Sequence, residues 1–131
     1  MAFIVNSGFN YRGNGLKVTA TKNSTTDHDL KIIDTITWIN GGELGYKNHV
    51  WGDYIEVQII DIDNVLGGGA NTVLDPFVKK RYLHSNSDYT SLILDYAGKI
   101  PKDTYLRVKY HSVGTTNNVD LFINYHLHAE G

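Results

Sequence analysis

His126 and His128 stand two residues apart near the C-terminus. On a β-strand that spacing sends both imidazoles to one face, where they could share a metal ion with His111 supplying a third nitrogen. Two histidines without an assured third ligand also describe an ordinary solvated strand end, and no metal site is assigned to them. Asp61-Ile62-Asp63-Asn64 opens like a calcium loop, because carboxylate oxygens suit a hard cation, but the glycine and the terminal glutamate of such a loop are misplaced or missing. Gly67-Gly68-Gly69-Ala70-Asn71 has the glycine content of a phosphate cradle. It lacks the Gly-Lys-Ser/Thr that should follow and a helix to present its amides, so it reads as a flexible loop. No Gly-x-Ser-x-Gly elbow supports a hydrolase triad. These residues predict no catalytic group and no cofactor.

Binding chemistry is better represented. Tyr46, His49 and Trp51 fall in one glycine-bounded segment and could form a sugar-stacking platform, since flat rings pack on the apolar face of a pyranose. The competing reading is that Trp51 covers an open end of a sandwich core. Lys79, Lys80 and Arg81 form the densest basic run and are candidate partner contacts, as are Phe3, Ile4, Phe9 and Tyr11 in an Asn- and Gly-rich N-terminal stretch. Asn23-Ser24-Thr25 fits a glycosylation pattern, but one such match is expected by chance and no secretion signal supports it.

The elements that must position these groups read as strands. Tyr105 to His128 has the form of a β-hairpin. Leu106, Val108 and Tyr110 share one face against Arg107, Lys109 and His111, and Val119, Leu121, Ile123, Tyr125 and Leu127 repeat the alternation after Gly114-Thr115-Thr116-Asn117-Asn118. Leu16 to Ala20 is a first strand, Lys22 to Asp29 a polar loop and Leu30 to Ile39 a long strand ended by Asn40-Gly41-Gly42. Tyr54 to Ile62 alternates Ile55, Val57 and Ile59 against Glu56 and Gln58 before both faces turn apolar. Asp75-Pro76 could cap a short helix, yet Phe77 to Leu83 is read as strand. Tyr89 to Tyr96 is a clearer strand, and Gly98 to Asp103 is a turn. Seven or eight strands about ten residues apart, joined by short connections, predict an all-β antiparallel sandwich of jelly-roll type. Residues 1–15 are expected as an extended arm and 16–131 as one domain.

Composition agrees. A chain of 131 residues suffices for one domain burying roughly two thirds of its unfolded surface. The absence of cysteine excludes a disulfide framework, a thiol nucleophile and thiolate metal sites. Met1 to Gly8 has a four-residue apolar run with no basic residues before it, which is unlike a signal peptide, and cytoplasmic synthesis is expected. No run approaches the ~20 apolar residues that span a bilayer, so no membrane role is expected. Net charge is -2, with residues 1–75 at -4, residues 76–111 at +4 and the remainder at -2. Either the polar strand faces carry signs as they fall, or the molecule has two complementary surfaces suited to self-association or to a charged assembly. An acidic domain without a dense basic stripe is a poor nucleic-acid binder.

The run Asp95-Tyr96-Ala97-Gly98-Lys99-Ile100-Pro101-Lys102-Asp103-Thr104-Tyr105-Leu106-Arg107-Val108-Lys109-Tyr110, continued by Asn118 to His128, resembles the C-terminal half of small structural proteins of tailed bacteriophages, head decoration or cement proteins being the nearest kind. The resemblance spans about a third of the chain. It implies a jelly-roll-like domain that is oligomeric on a capsid surface, a dimer or trimer contacting a major capsid or other virion protein, with no cofactor and no catalytic residue. The localisation implied is the virion, assembled in a host cytoplasm. The alternative is a carbohydrate- or receptor-binding sandwich using Tyr46, His49 and Trp51.

Overall fold

The computed structural model describes residues 12–33, 35–83 and 92–129. These residues form eight strands: β1 (Arg12–Ala20), β2 (Thr25–Lys31), β3 (Ile36–Lys47), β4 (Tyr54–Asp61), β5 (Thr72–Tyr82), β6 (Leu92–Ile100), β7 (Tyr105–His111) and β8 (Val119–Ala129). They pair antiparallel in two four-stranded sheets of order β1-β8-β3-β6 and β2-β7-β4-β5. Successive strands change sheet at every step but one, the β4–β5 hairpin. This is the connectivity of a jelly roll, a sandwich of two interleaved Greek keys.

The core lies between the sheets. Ala20, Ile36, Ile39, Leu44, Tyr46, Ile100, Val119, Leu121 and Ile123 come from the first sheet, and Leu30, Ile55, Val57, Ile59, Leu106, Val108 and Tyr110 from the second. Strict alternation produces this on β7, where Leu106, Val108 and Tyr110 are buried and the intervening residues half-buried. The β5–β6 side of the sandwich is closed by side chains. Phe77 packs on Tyr96 with ring centroids 4.9 Å apart, and Tyr96 donates to Asp75, a bond that raises the phenol's pKa.

Several expectations need correction. Tyr105 to His128 is not a hairpin: β7 pairs with β2 and β4, and β8 with β1 and β3, so residues 112–118 carry the chain between sheets. Alternation fixes which residues face the core but not which sheet a strand joins. Leu30 to Ile39 is likewise two strands in different sheets. They meet at a corner where Ile32 donates to the Thr104 carbonyl (2.8 Å) and accepts from the Asp103 amide (2.6 Å). The expected polar loop after Lys22 shortens to a turn, because Thr25 to Lys31 is an edge strand whose acidic residues face outward. Asn40-Gly41-Gly42 does not end β3. Between Ile39↔Leu127 and Glu43↔Asn124 the strand carries one extra residue, a bulge for which glycine is suited, and it runs on to Lys47. Gly98 to Ile100 complete β6, leaving the turn to Lys102 and Asp103.

Asp75-Pro76 caps no helix. β5 is a strand through Tyr82, with three register shifts against β4, and its Pro76 is tolerated because β5 is an edge. Bulges, proline and the Lys79-Lys80-Arg81 run are also devices that discourage edge-to-edge pairing. β1 begins at Arg12, so residues 12–15 of the expected arm pair with β8.

The outer face of the second sheet interleaves the two oppositely charged parts of the chain. Arg107 on β7 makes a forked bond to Asp29 on β2 (2.7 and 3.1 Å) that holds the guanidinium pKa up, and it lies 3.7 Å from Asp27. Lys109 falls in register between Asp27 and Glu56. Arg107 and Lys109 are thus matched to Asp27, Asp29 and Glu56 of the oppositely charged part of the chain within one sheet.

His28 sits on β2 opposite Val108, and its Nε2 is buried with no hydrogen-bond partner among the described residues. Burial lowers its pKa, opposed by the nearby Asp29 carboxylate. The unfolded chain therefore binds this proton more readily than the folded one, and stability is lost as pH falls below the unfolded value of about 6.5. Denaturant midpoints at pH 7.5 and pH 5.5 should differ less in His28→Leu than in the parent protein.

Candidate functional site

The most organised non-core feature is at the end of the sandwich where β3 passes into β4. Asn48 (φ 68°) and Gly52 (φ 101°) turn the chain there, in the left-handed region that suits asparagine and glycine. The turn places Asp53 at 0% exposure. Its Oδ2 accepts from the Tyr110 hydroxyl (2.6 Å) and the Val50 amide (3.2 Å), and its Oδ1 from the Val113 amide (2.8 Å). The Asp53 backbone bonds Val50 O (3.1 Å) and Leu83 N (2.8 Å), and Gly52 N reaches Leu83 O (3.2 Å). One residue therefore ties together the β3–β4 connection, the β7–β8 connection and the end of β5. Burial, and then the bond to Asp53, raise the Tyr110 pKa far above the tyrosine range, so its hydroxyl stays a donor.

This clamp presents a corner. Trp51 is 66% exposed, with Val50 and Val113 also exposed beside it. A Cβ placed on Gly114 would lie 3.3 Å from Val50, and one on Gly52 3.6 Å from Val113, so the two connections touch. Immediately below, Tyr54 is opposite both His111 and Tyr82 in the sheet. His111 stacks on Tyr54 (4.6 Å, 16°) and exchanges a 2.6 Å bond between Nδ1 and Thr25 Oγ1. Tyr82, 46% exposed, leans on Tyr54 at 5.4 Å, and the Lys80 ammonium lies 4.6 Å from that ring's centroid. Lys79 and Arg81 are exposed and form no ion pair among the described residues.

The structure separates some sequence candidates and joins others. Tyr46 and His49 are buried, packed edge-to-face at 4.6 Å, because β3 extends to Lys47 and turns Tyr46 into the core. The three-ring platform of Tyr46, His49 and Trp51 therefore does not exist as a surface; only Trp51 faces outward. The Gly52–Leu83 bond instead sets the connection that carries Trp51 against the end of β5, the strand that carries Lys79, Lys80 and Arg81. Phe3, Ile4, Phe9 and Tyr11 lie outside the described residues. His126 and His128 lie on β8 opposite Gly13 and Trp38, in the sheet that does not contain His111. Asp61, at 0% exposure, spends its two oxygens on the Val65 (2.9 Å) and Leu66 (3.0 Å) amides. Asp63 accepts from Tyr105 (2.9 Å) and Asn64 from Gly69 (2.8 Å), so the calcium-like segment is a self-satisfied turn. Sequence reasoning missed Asp53, Tyr54, Tyr82 and Val113, and weighed His111 only as a third metal nitrogen. Only their places at strand ends connect them, and that becomes informative once the strands are assigned to sheets.

No family model matches the chain, and no curated protein matches it. Among solved structures it is similar to a mutant VP2 protein of infectious bursal disease virus in derived T=1 particles, at 15% identity and a TM-score of 0.32 over 89% of this chain and 32% of that one. It is similar also to the infectious bursal disease virus Gx strain structure, at 14% identity and a TM-score of 0.33 over 94% and 32%. The chain spans about a third of the length of those viral chains. Likeness this loose carries no weight for function.

The clamp yields a stability prediction. Asp53→Ala leaves the Tyr110 hydroxyl and two amides without their acceptor and should cost about 2–4 kcal/mol, whereas Tyr110→Phe removes one donor and should cost about 1 kcal/mol. Urea unfolding of both variants measures the difference.

Proposed function

We propose that this chain is a non-enzymatic structural protein of a virion that decorates a capsid as a symmetric oligomer and presents the Trp51 corner as a recognition surface. The corner is the observation that carries the reading. Trp51, Val50 and Val113 are exposed on two touching connections, and exposed Tyr82, Lys79, Lys80 and Arg81 lie on the strand whose end those connections meet; Trp, Tyr and Arg are residue types enriched in binding hot spots. The resemblance of residues 95–128 to phage head decoration proteins supports the virion setting, and the jelly roll is an architecture that capsid and lectin domains share. In this reading Phe3, Ile4, Phe9 and Tyr11 contact a second copy or the major capsid protein. A lectin-like function is the second reading, favoured by the outward Trp51 and Tyr82 rings.

Because residues 12–15 belong to β1, the informative truncation removes residues 1–11 only. Solution mass should show a dimer or trimer that falls to monomer on this truncation. A full-length protein that is monomeric, or whose mass per particle is indifferent to the truncation, would contradict assembly through the arm.

A further inference from the structure

We propose that protonation of His28 releases β2 from β7, making this strand an acid-operated edge of the sandwich. Among the described residues β2 ends its sheet with β7 as its one neighbour, and their register runs unbroken from Thr25↔His111 to Lys31↔Tyr105. Beyond its two ends Ser112 donates to the Ser24 carbonyl (2.9 Å) and Ile32 to the Thr104 carbonyl (2.8 Å). Bonded pairs alternate along an antiparallel ladder, so Thr26, His28 and Leu30 are the β2 residues that exchange backbone bonds with Tyr110, Val108 and Leu106. His28 is central to that ladder. Its side chain lies on the face of buried Leu30, opposite buried Val108.

Nothing is in place to hold a second proton on this ring. Nε2 is buried without a hydrogen-bond partner among the described residues, so the imidazolium would set both a charge and an unsatisfied donor at an apolar site. Asp27 and Asp29 flank His28 but face outward, where Arg107 engages them at 3.7 and 2.7 Å. Asp29 acts as an opposing charge, and burial outweighs it. From β7 the inward neighbours are Leu106, Val108 and Tyr110, whose hydroxyl is committed to Asp53. On β1, which lies beside β2 across the sandwich, Val18 and Ala20 join the core and Lys17 lies 3.9 Å from Asp120. Carboxylates as a class remain ionised at pH 5.5, so mild acid leaves the Arg107 pairs and the 4.0 Å Lys31–Asp103 pair intact while it charges histidine. Once β2 opens, the ring meets water and titrates near 6.5. The open strand then binds a proton that the closed strand refuses, and its population rises up to roughly tenfold between pH 7.5 and pH 5.5. Release uncovers the β7 edge, a row of backbone groups ready to pair with another strand.

The test is amide hydrogen exchange of the full chain, followed by NMR at pH 7.5 and pH 5.5 and expressed as protection factors. The amides of Thr26, His28 and Leu30, and of Leu106, Val108 and Tyr110 on β7, should lose up to roughly tenfold of their protection at pH 5.5. Arg107 and Lys109, whose amides turn to β4, should keep theirs, as should Val57. His28→Leu and His28→Gln should each abolish the pH-dependent loss. His111, the other histidine of this strand pair, faces outward and shares a 2.6 Å bond with Thr25, so His111→Gln is the control and should retain the loss. An equal fall at Val57 would mean global unfolding and overturn the release of β2. Unchanged protection in the parent, a loss that survives both His28 variants, or one that vanishes in His111→Gln would overturn the assignment to His28.

Discussion

A carboxyl group removed from water costs several kcal/mol unless its oxygens are fully engaged. Asp53 meets that requirement with a phenol and two amides drawn from three different parts of the chain. In a jelly roll the strands alternate between sheets, so the connections at each end are crossings that no ladder of backbone bonds holds in place. Asp53 supplies the missing restraint at one end. Its donors come from the β3–β4 and β7–β8 crossings and from β7 itself, while its backbone holds the end of β5. The exposed corner is a consequence: Val50 and Val113 have their amides turned inward to the carboxylate, leaving their side chains and that of Trp51 outward.

At the opposite end Asp61 does a more local job. It bonds amides four and five residues ahead and closes the β4–β5 hairpin on itself. Both aspartates are wholly buried, yet only Asp53 joins elements distant in sequence, through Tyr110 and Val113. The difference explains why one end offers a composite surface and the other a self-contained loop.

Alternation made the class of fold and most core positions legible in the sequence: Leu106, Val108, Tyr110, Val119, Leu121 and Ile123 face inward as their spacing requires. Sheet membership was not legible. Period-2 patterning is the same whether β7 and β8 pair or face each other across the core, and Leu30 and Ile36 satisfy one pattern although a corner separates them. Glycines at 41 and 42 signalled a break and the chain used them for a bulge, since a bulge and a turn draw on the same conformational freedom. The candidate site suffered from the same ambiguity. A strand ended at Asn40–Gly42 leaves Tyr46 in a loop with Trp51, whereas Tyr82 and Lys80 come to Tyr54 only through the pairing of β4 with β5. Asp53 carried no motif at all, because a buried carboxylate serving backbone amides needs only position.

Asp53 holds the two crossings rigid. Amide hydrogen exchange at Val50 and Val113, residues whose side chains are exposed, tests it most directly. If the carboxylate clamps both crossings, these two amides exchange as slowly as core-strand amides such as that of Val57, and both accelerate together in Tyr110→Phe. Exchange as fast as that of Gly67 in the exposed β4–β5 loop would contradict the clamp and, with it, the rigid corner.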